Sequence, residues 1–86
     1  MKLIRTERFK KAWGQLNEQE KRLAEKALRQ MIMDLRYPSL GVKKMKGTED
    51  IWEARASLSL RLTFQIQGDT IILRNIGHHD EALENP

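Results

Sequence analysis

Cysteine is absent from the chain, which excludes both a disulfide framework and a thiolate metal site. That absence is compatible with a reducing cytosol. No apolar run approaches the roughly 20 residues that a membrane-spanning helix needs. The opening stretch, Met1-Lys-Leu-Ile-Arg-Thr6, turns polar too quickly for a secretion signal. The expected location is therefore cytoplasmic, with no membrane partner. Aromatic residues are few: two Trp, two Phe and one Tyr, and the tyrosine, Tyr37, precedes the C-terminal third. Repeats, low-complexity tracts and internal linkers are also missing. With 86 residues, the chain fits a single domain, 1–86, with a core that is small but workable without staples.

Charge, by contrast, is plentiful. Sixteen Lys and Arg stand against twelve Asp and Glu, a net charge of +4. The excess suits an anionic partner, either nucleic acid or an acidic protein segment, without choosing between them.

Lys2–Arg5 reads as a short strand. Thr6 suits a helix N-cap, and Phe9, Ala12, Trp13 and Leu16 follow at helical spacing. Asn17 with Glu20 has the form of a capping box. Leu23, Ala24, Ala27, Leu28, Met31, Ile32 and Leu35 then continue one apolar face, expected to end near Arg36 or Tyr37 because Pro38 disfavours helix before it. Two helices so closely joined make a hairpin. Tyr37–Asp50 reads as an irregular segment holding Lys43, Lys44 and Lys46, with Val42 and Met45 as its anchors.

Three strands follow. Trp52, Ala54 and Ala56 share one side of the first, and Ile51, Glu53 and Arg55 the other. In the second, Leu60, Leu62, Phe64 and Ile66 oppose Arg61, Thr63 and Gln65. The third, Thr70 onward, is apolar at Ile71, Ile72 and Leu73 in succession, which marks it as central or covered on both sides. Gly77 delivers His78 and His79 to its end. The expected fold is α+β: a short N-terminal strand, an αα-hairpin, then a three-stranded antiparallel meander. The helices pack on one face, and the other is polar and basic, displaying Glu53, Arg55 and Arg61.

Phe9-Lys-Lys-Ala-Trp13, Pro38-Ser-Leu40, Lys43-Lys-Met-Lys-Gly47, Ile51-Trp-Glu-Ala-Arg55, Leu60-Arg-Leu-Thr-Phe64 and Ile76-Gly-His-His-Asp80 occur in an order that resembles the RelE/ParE superfamily of bacterial toxin–antitoxin proteins. The likeness spans nearly the whole chain. It implies a toxin that cleaves mRNA, in association with the ribosome, so inhibiting translation, and that is held inactive by an antitoxin protein. It implies metal-independent chemistry with no cofactor. Carried onto this chain, it gives Arg61 and Arg55 as phosphate-binding arginines, Glu53 as a companion of Arg55 or a general base, and His79, with His78 as rival, as general acid.

Those residue types fit the reaction. The 2′-hydroxyl attacks phosphorus, an acid protonates the leaving oxygen, and cations hold the charge that develops. Arginine binds phosphate through a planar fork, and histidine titrates near neutrality. Lys43, Lys44 and Lys46 read as phosphate-positioning charges. Each residue also has a plainer role: arginines paired with Glu53 on a solvated face, a surface histidine pair, a solvated lysine loop. Adjacent histidines with Asp80 lack a usual metal-ligand spacing. Leu83 stands in the region where many nuclease members carry Tyr or Phe. That departure keeps open a ParE-like gyrase inhibitor, or a relative that binds its antitoxin or RNA without cleaving.

Overall fold

Side-chain caps set the ends of the first elements. In the computed structural model, which describes residues 1–86, strand β1 (Lys2–Arg5) leads to Thr6. The Thr6 hydroxyl accepts from the Phe9 N–H and caps helix α1 (Glu7–Trp13). It also donates to Leu73 O at 2.8 Å, so the cap ties the helix to a distant strand. A turn through Gly14–Leu16 reaches Asn17, which completes the capping box with Glu20 at the head of helix α2 (Glu18–Met33).

Helix α2 stops at Met33, earlier than the apolar spacing suggests. Asp34 turns extended, and its carboxylate accepts from the Arg36 N–H and guanidinium, a local bonding pattern that competes with another helical turn. Pro38 then opens a 3-10 turn (Pro38–Leu40), and strand β2 (Lys43–Lys44) follows. The segment expected to be irregular thus contains two short elements. Strands β3 (Trp52–Arg55), β4 (Leu60–Gln67) and β5 (Thr70–His78) form the expected antiparallel meander. β1 joins it in parallel beside β5, and β2 extends the β3 edge, giving the order β1-β5-β4-β3-β2.

The helices α1 and α2 cover one face of this sheet. Phe9, Leu28 and Met31 meet Ala54, Leu60, Leu62, Phe64, Ile71, Leu73 and Ile76 in one core. Trp13 and Trp52 pack against its margin, as expected, and Trp13 lies 6.0 Å from Phe9 between ring centroids. One irregularity makes the packing possible. Leu62 pairs with Ile76 and Phe64 with Leu73, so two steps on β4 match three on β5. Arg74 is the extra residue of a β-bulge. Without it, Leu73 and Ile76 would point to opposite faces.

The other face differs from expectation. It carries Lys43, Glu53, Thr63 and Asn75 in one cross-strand row, and Arg55, Arg61 and Gly77 in the next. A third helix, α3 (His79–Glu84), follows β5 directly and lies against β4 and β5. The Glu81 carboxylate is 3.7 Å from where a Cβ on Gly77 would stand. Thr63 and Ala82 are both fully buried. The face is therefore partly covered, not openly basic. No helix is long and apolar enough to cross a membrane.

Phe9→Ala removes a fully buried ring shared by helix and sheet. The expected loss is about 3–5 kcal/mol, a large share of the roughly 5–15 kcal/mol that holds a small domain. Urea unfolding measures it, and a loss under about 1 kcal/mol contradicts this packing. At the end of α2, the Arg36 side chain and N–H hold the Asp34 carboxyl below its ordinary value of 3.8. A carboxyl lowered on folding stabilises the protein above its unfolded pKa, and the effect fades as pH falls through the folded value. Asp34→Asn is expected to lower the melting temperature at neutral pH and to leave it unchanged near about pH 2. An equal offset at both pH values would assign the effect to something other than the carboxylate charge.

Candidate active site

The β3–β4 hairpin loop, Ser57–Ser59, receives the Arg61 guanidinium and the His79 main-chain N–H at one end of the sheet. Arg61 lies just inside β4 and folds back on this loop. Its Nη1 donates to Ser57 O at 2.8 Å and to Leu58 O at 3.0 Å. Both acceptors are neutral carbonyls, and Arg61 takes part in none of the molecule's six ion pairs. The guanidinium is therefore oriented but not neutralised, and it keeps donors for an anion.

His79 reaches the same loop from β5. Its main-chain N–H donates to Ser59 O at 2.8 Å, and α3 begins there. The imidazole Nδ1 is 3.3 Å from Asp80 Oδ1. A carboxylate acceptor needs the proton on Nδ1, and Nε2 is left without a protein partner. His78, its rival, goes elsewhere. Strand alternation turns it to the helix face, beside its partner Leu60, and its Nε2 is 3.2 Å from Glu20 Oε2 on α2. The structure thus separates the two histidines, one bridging layers and one at the loop.

Arg55 is the cross-strand partner of Arg61 in the register. Its side chain nevertheless crosses the sheet edge and lies on Gly41. A Cβ at Gly41 would stand 2.8 Å from Arg55 Nε, and Gly41 has φ of +52°. Glycine is required there for both reasons. Arg55 borders a small cleft with Lys26, Gln30 and Ser39 on the far side of the edge, not the loop. The two arginines therefore do not converge, because like charges in register are free to part when one sits beside an edge. Glu53 is only 8% exposed, and its ion partner is Lys43 at 3.9 Å. It is not displayed on an open face, since it sits in the row beside buried Thr63.

The lysines do not act as one cluster. Lys43 shares the face of Glu53, Lys44 pairs with Trp52 on the helix face, and Lys46 follows the strand. No group of three or more His, Asp and Glu side chains is arranged to hold a metal. A mainly apolar concavity of about 430 Å³ lies between Leu35, Tyr37, Val42, Trp52 and Ile66, with no residue of the Ser57–Ser59 loop in its lining. Two features escaped the sequence reading. Asp80 belongs to the segment that carries the resemblance and lacks a usual metal-ligand spacing, but the sequence does not show its carboxylate beside the His79 Nδ1. The loop carbonyls that seat Arg61 have no residue-type signature.

No family model and no curated protein matches this sequence. Solved structures do match in backbone. A chain of the RelB–RelE antitoxin–toxin complex from Methanococcus jannaschii superposes with a TM-score of 0.77 at 19% identity, covering 96% of this chain and 98% of that one. YafQ from E. coli strain BL21(DE3) gives 0.78 at 8% identity, with 92% and 93% covered. The intact E. coli RelBE toxin–antitoxin complex gives 0.71 at 21% identity, with 90% and 94% covered. The fold is that of the RelE-like toxins. It extends over nearly the whole chain, as the order of the sequence segments implies.

Thr63 supplies a test of the face beneath α3. Its hydroxyl is buried with no hydrogen-bond partner, which costs roughly 1–3 kcal/mol. Thr63→Val is expected to raise stability by about 1 kcal/mol, read from the shift in urea midpoint. A loss of similar size would mean that the hydroxyl does have a partner in solution.

Proposed function

We propose that this chain is the toxin of a toxin–antitoxin pair and that it cleaves mRNA by attack of a ribose 2′-hydroxyl on the adjacent phosphorus. The observation that carries this reading is the shared seat of Arg61 and His79 on the Ser57–Ser59 loop. It puts an un-neutralised guanidinium and an imidazole with a free Nε2 at one end of the sheet. Arg61 binds a non-bridging phosphate oxygen and stabilises the charge gathered in the transition state. His79 gives the Nε2 proton to the departing 5′-oxygen while Asp80 steadies Nδ1. The 2′-hydroxyl gives up its proton to solvent water and its oxygen bonds to phosphorus as the 5′-oxygen bond breaks, leaving a 2′,3′-cyclic phosphate and a 5′-hydroxyl.

The other candidates take lesser parts. Arg55, exposed at the β2 edge, and Lys43, Lys44 and Lys46 are suited to holding RNA or ribosome backbone at a distance from the scissile bond. Glu53 is better suited to holding Lys43 than to taking a proton, because that lysine is its ion partner and the carboxylate is nearly buried. His78 serves the packing between layers. The expected inhibitor is an antitoxin protein with an acidic, flexible segment, matching the net charge of +4. Two of the structures of like fold are antitoxin–toxin complexes.

Controlled expression followed by primer-extension mapping of transcripts tests the reading. Cuts at regular positions within codons are expected from the unaltered chain. Arg61→Ala and His79→Ala are each expected to lower cleavage by about 100-fold or more, with unfolding midpoints little changed. Growth arrest with intact transcripts and inhibited gyrase would overturn the nuclease assignment.

A further inference from the structure

Helix α3 carries His79 but has little to hold it in place. Six residues are too few for a helix to persist alone, and Ala82 is its only buried residue. Its first end is pinned by the His79 N–H on Ser59 O. Its other end is gripped by three side chains from α1 and β5. Asn75 Nδ2 donates to Asn85 O at 2.8 Å. Arg8 donates to Asn85 O through Nη2 and to Pro86 O through Nη1. Arg74 Nε donates to Pro86 O at 3.3 Å, while its Nη1 is fixed on Gln65 Oε1 at 2.9 Å.

We propose that Arg8, Arg74 and Asn75 are positioning residues, which fix α3 from its far end and so hold His79 at the Ser57–Ser59 loop. This rests on the role proposed for His79. None of the three lies at the scissile linkage, so their effect passes through the helix. The lever is short and stiff. Released at the clamp, the helix pivots about its pinned end, and a tilt of about 10° there swings the imidazole, roughly 6 Å out from the main chain, by about 1 Å. Displacements of that size cost on the order of 100-fold in rate when a reacting group must be aligned. The β-bulge explains why the clamp can form. Arg74 is the extra residue, freed from the core alternation, and Asn75 is returned to the face that α3 covers.

Arg8→Ala and Asn75→Ala test the proposal with two readouts. Arg8 is exposed, so its loss leaves the core intact. Amide hydrogen exchange in residues 79–84 is expected to speed up about 10-fold or more, with β4 amides unchanged. On translating ribosomes, the saturating cleavage rate is expected to fall about 10- to 100-fold. The protein concentration giving half-maximal rate stays constant. Arg8→Lys, which keeps a donor, recovers part of both. Unchanged exchange in 79–84 overturns the clamp. Faster exchange with an undiminished rate overturns its role in positioning. If the unaltered protein cleaves no RNA, the nuclease reading fails separately, and protection of the His79 amide alone then decides whether the clamp holds the residue in place.

Discussion

The β-bulge at Arg74 is the constraint on which the rest of the molecule turns. A regular β5 would spend either Leu73 or Ile76 on the wrong face, because side chains alternate strictly along a strand. The extra residue lets both reach the core that Phe9, Met31 and Phe64 complete. It also resets the strand beyond it. Asn75 and Gly77 now share the opposite face, where α3 packs with Glu81 beside Gly77. Core packing and the geometry of the candidate site are thus consequences of one irregularity.

Electrostatics at the site follows from which acceptors are offered. Arg61 is held by two main-chain carbonyls, so its orientation costs none of its charge. Three other cations are paired with carboxylates: Lys10 with Glu7, Arg36 with Asp34, and Lys43 with Glu53. An arginine fixed by dipoles keeps its attraction for phosphate, whereas one fixed by a carboxylate must first lose that partner. Arg8 and Arg74 are also held by neutral oxygens, but at the far end of α3 rather than at the Ser57–Ser59 loop. Arg55 is also free of carboxylates, but it faces Gly41 and the wrong side of the edge.

Much of this was legible in the chain. Thr6, Asn17 and Glu20 announced both helix starts, and the alternation through Trp52–Ala56 and Leu60–Phe64 gave two strands with the correct faces. The resemblance supplied Arg61 and His79 as candidates, and both contact the Ser57–Ser59 loop. What failed has physical causes. The early stop of α2 depends on Asp34 bonding to Arg36, a local competition that apolar spacing does not register. The run Ile71-Ile72-Leu73 hid the bulge, since succession of apolar residues blurs a period of two. Helix α3 has one buried residue and no apolar stripe, so its sequence gave little sign of it. The divergence of Arg55 from Arg61 depends on a glycine fourteen positions earlier, and only tertiary contact reveals that.

Backbone likeness at identities between 8% and 21% shows how few residues the fold demands. In this chain a binary pattern, two helix caps and one strand irregularity all point to the same fold. The site spans both extremes of that arrangement. Arg61 stands on β4, between two paired strands, where the backbone cannot shift without breaking the core. His79 stands on a helix that owes its position to the residues around it. Changes at Arg8, Asn75 or the residues after His79 can therefore retune the histidine while the sheet stays intact. A scaffold built this way can vary its chemistry, or lose it, at little cost to folding, and a shared fold at low identity accordingly carries less information about activity than the seating of these two side chains.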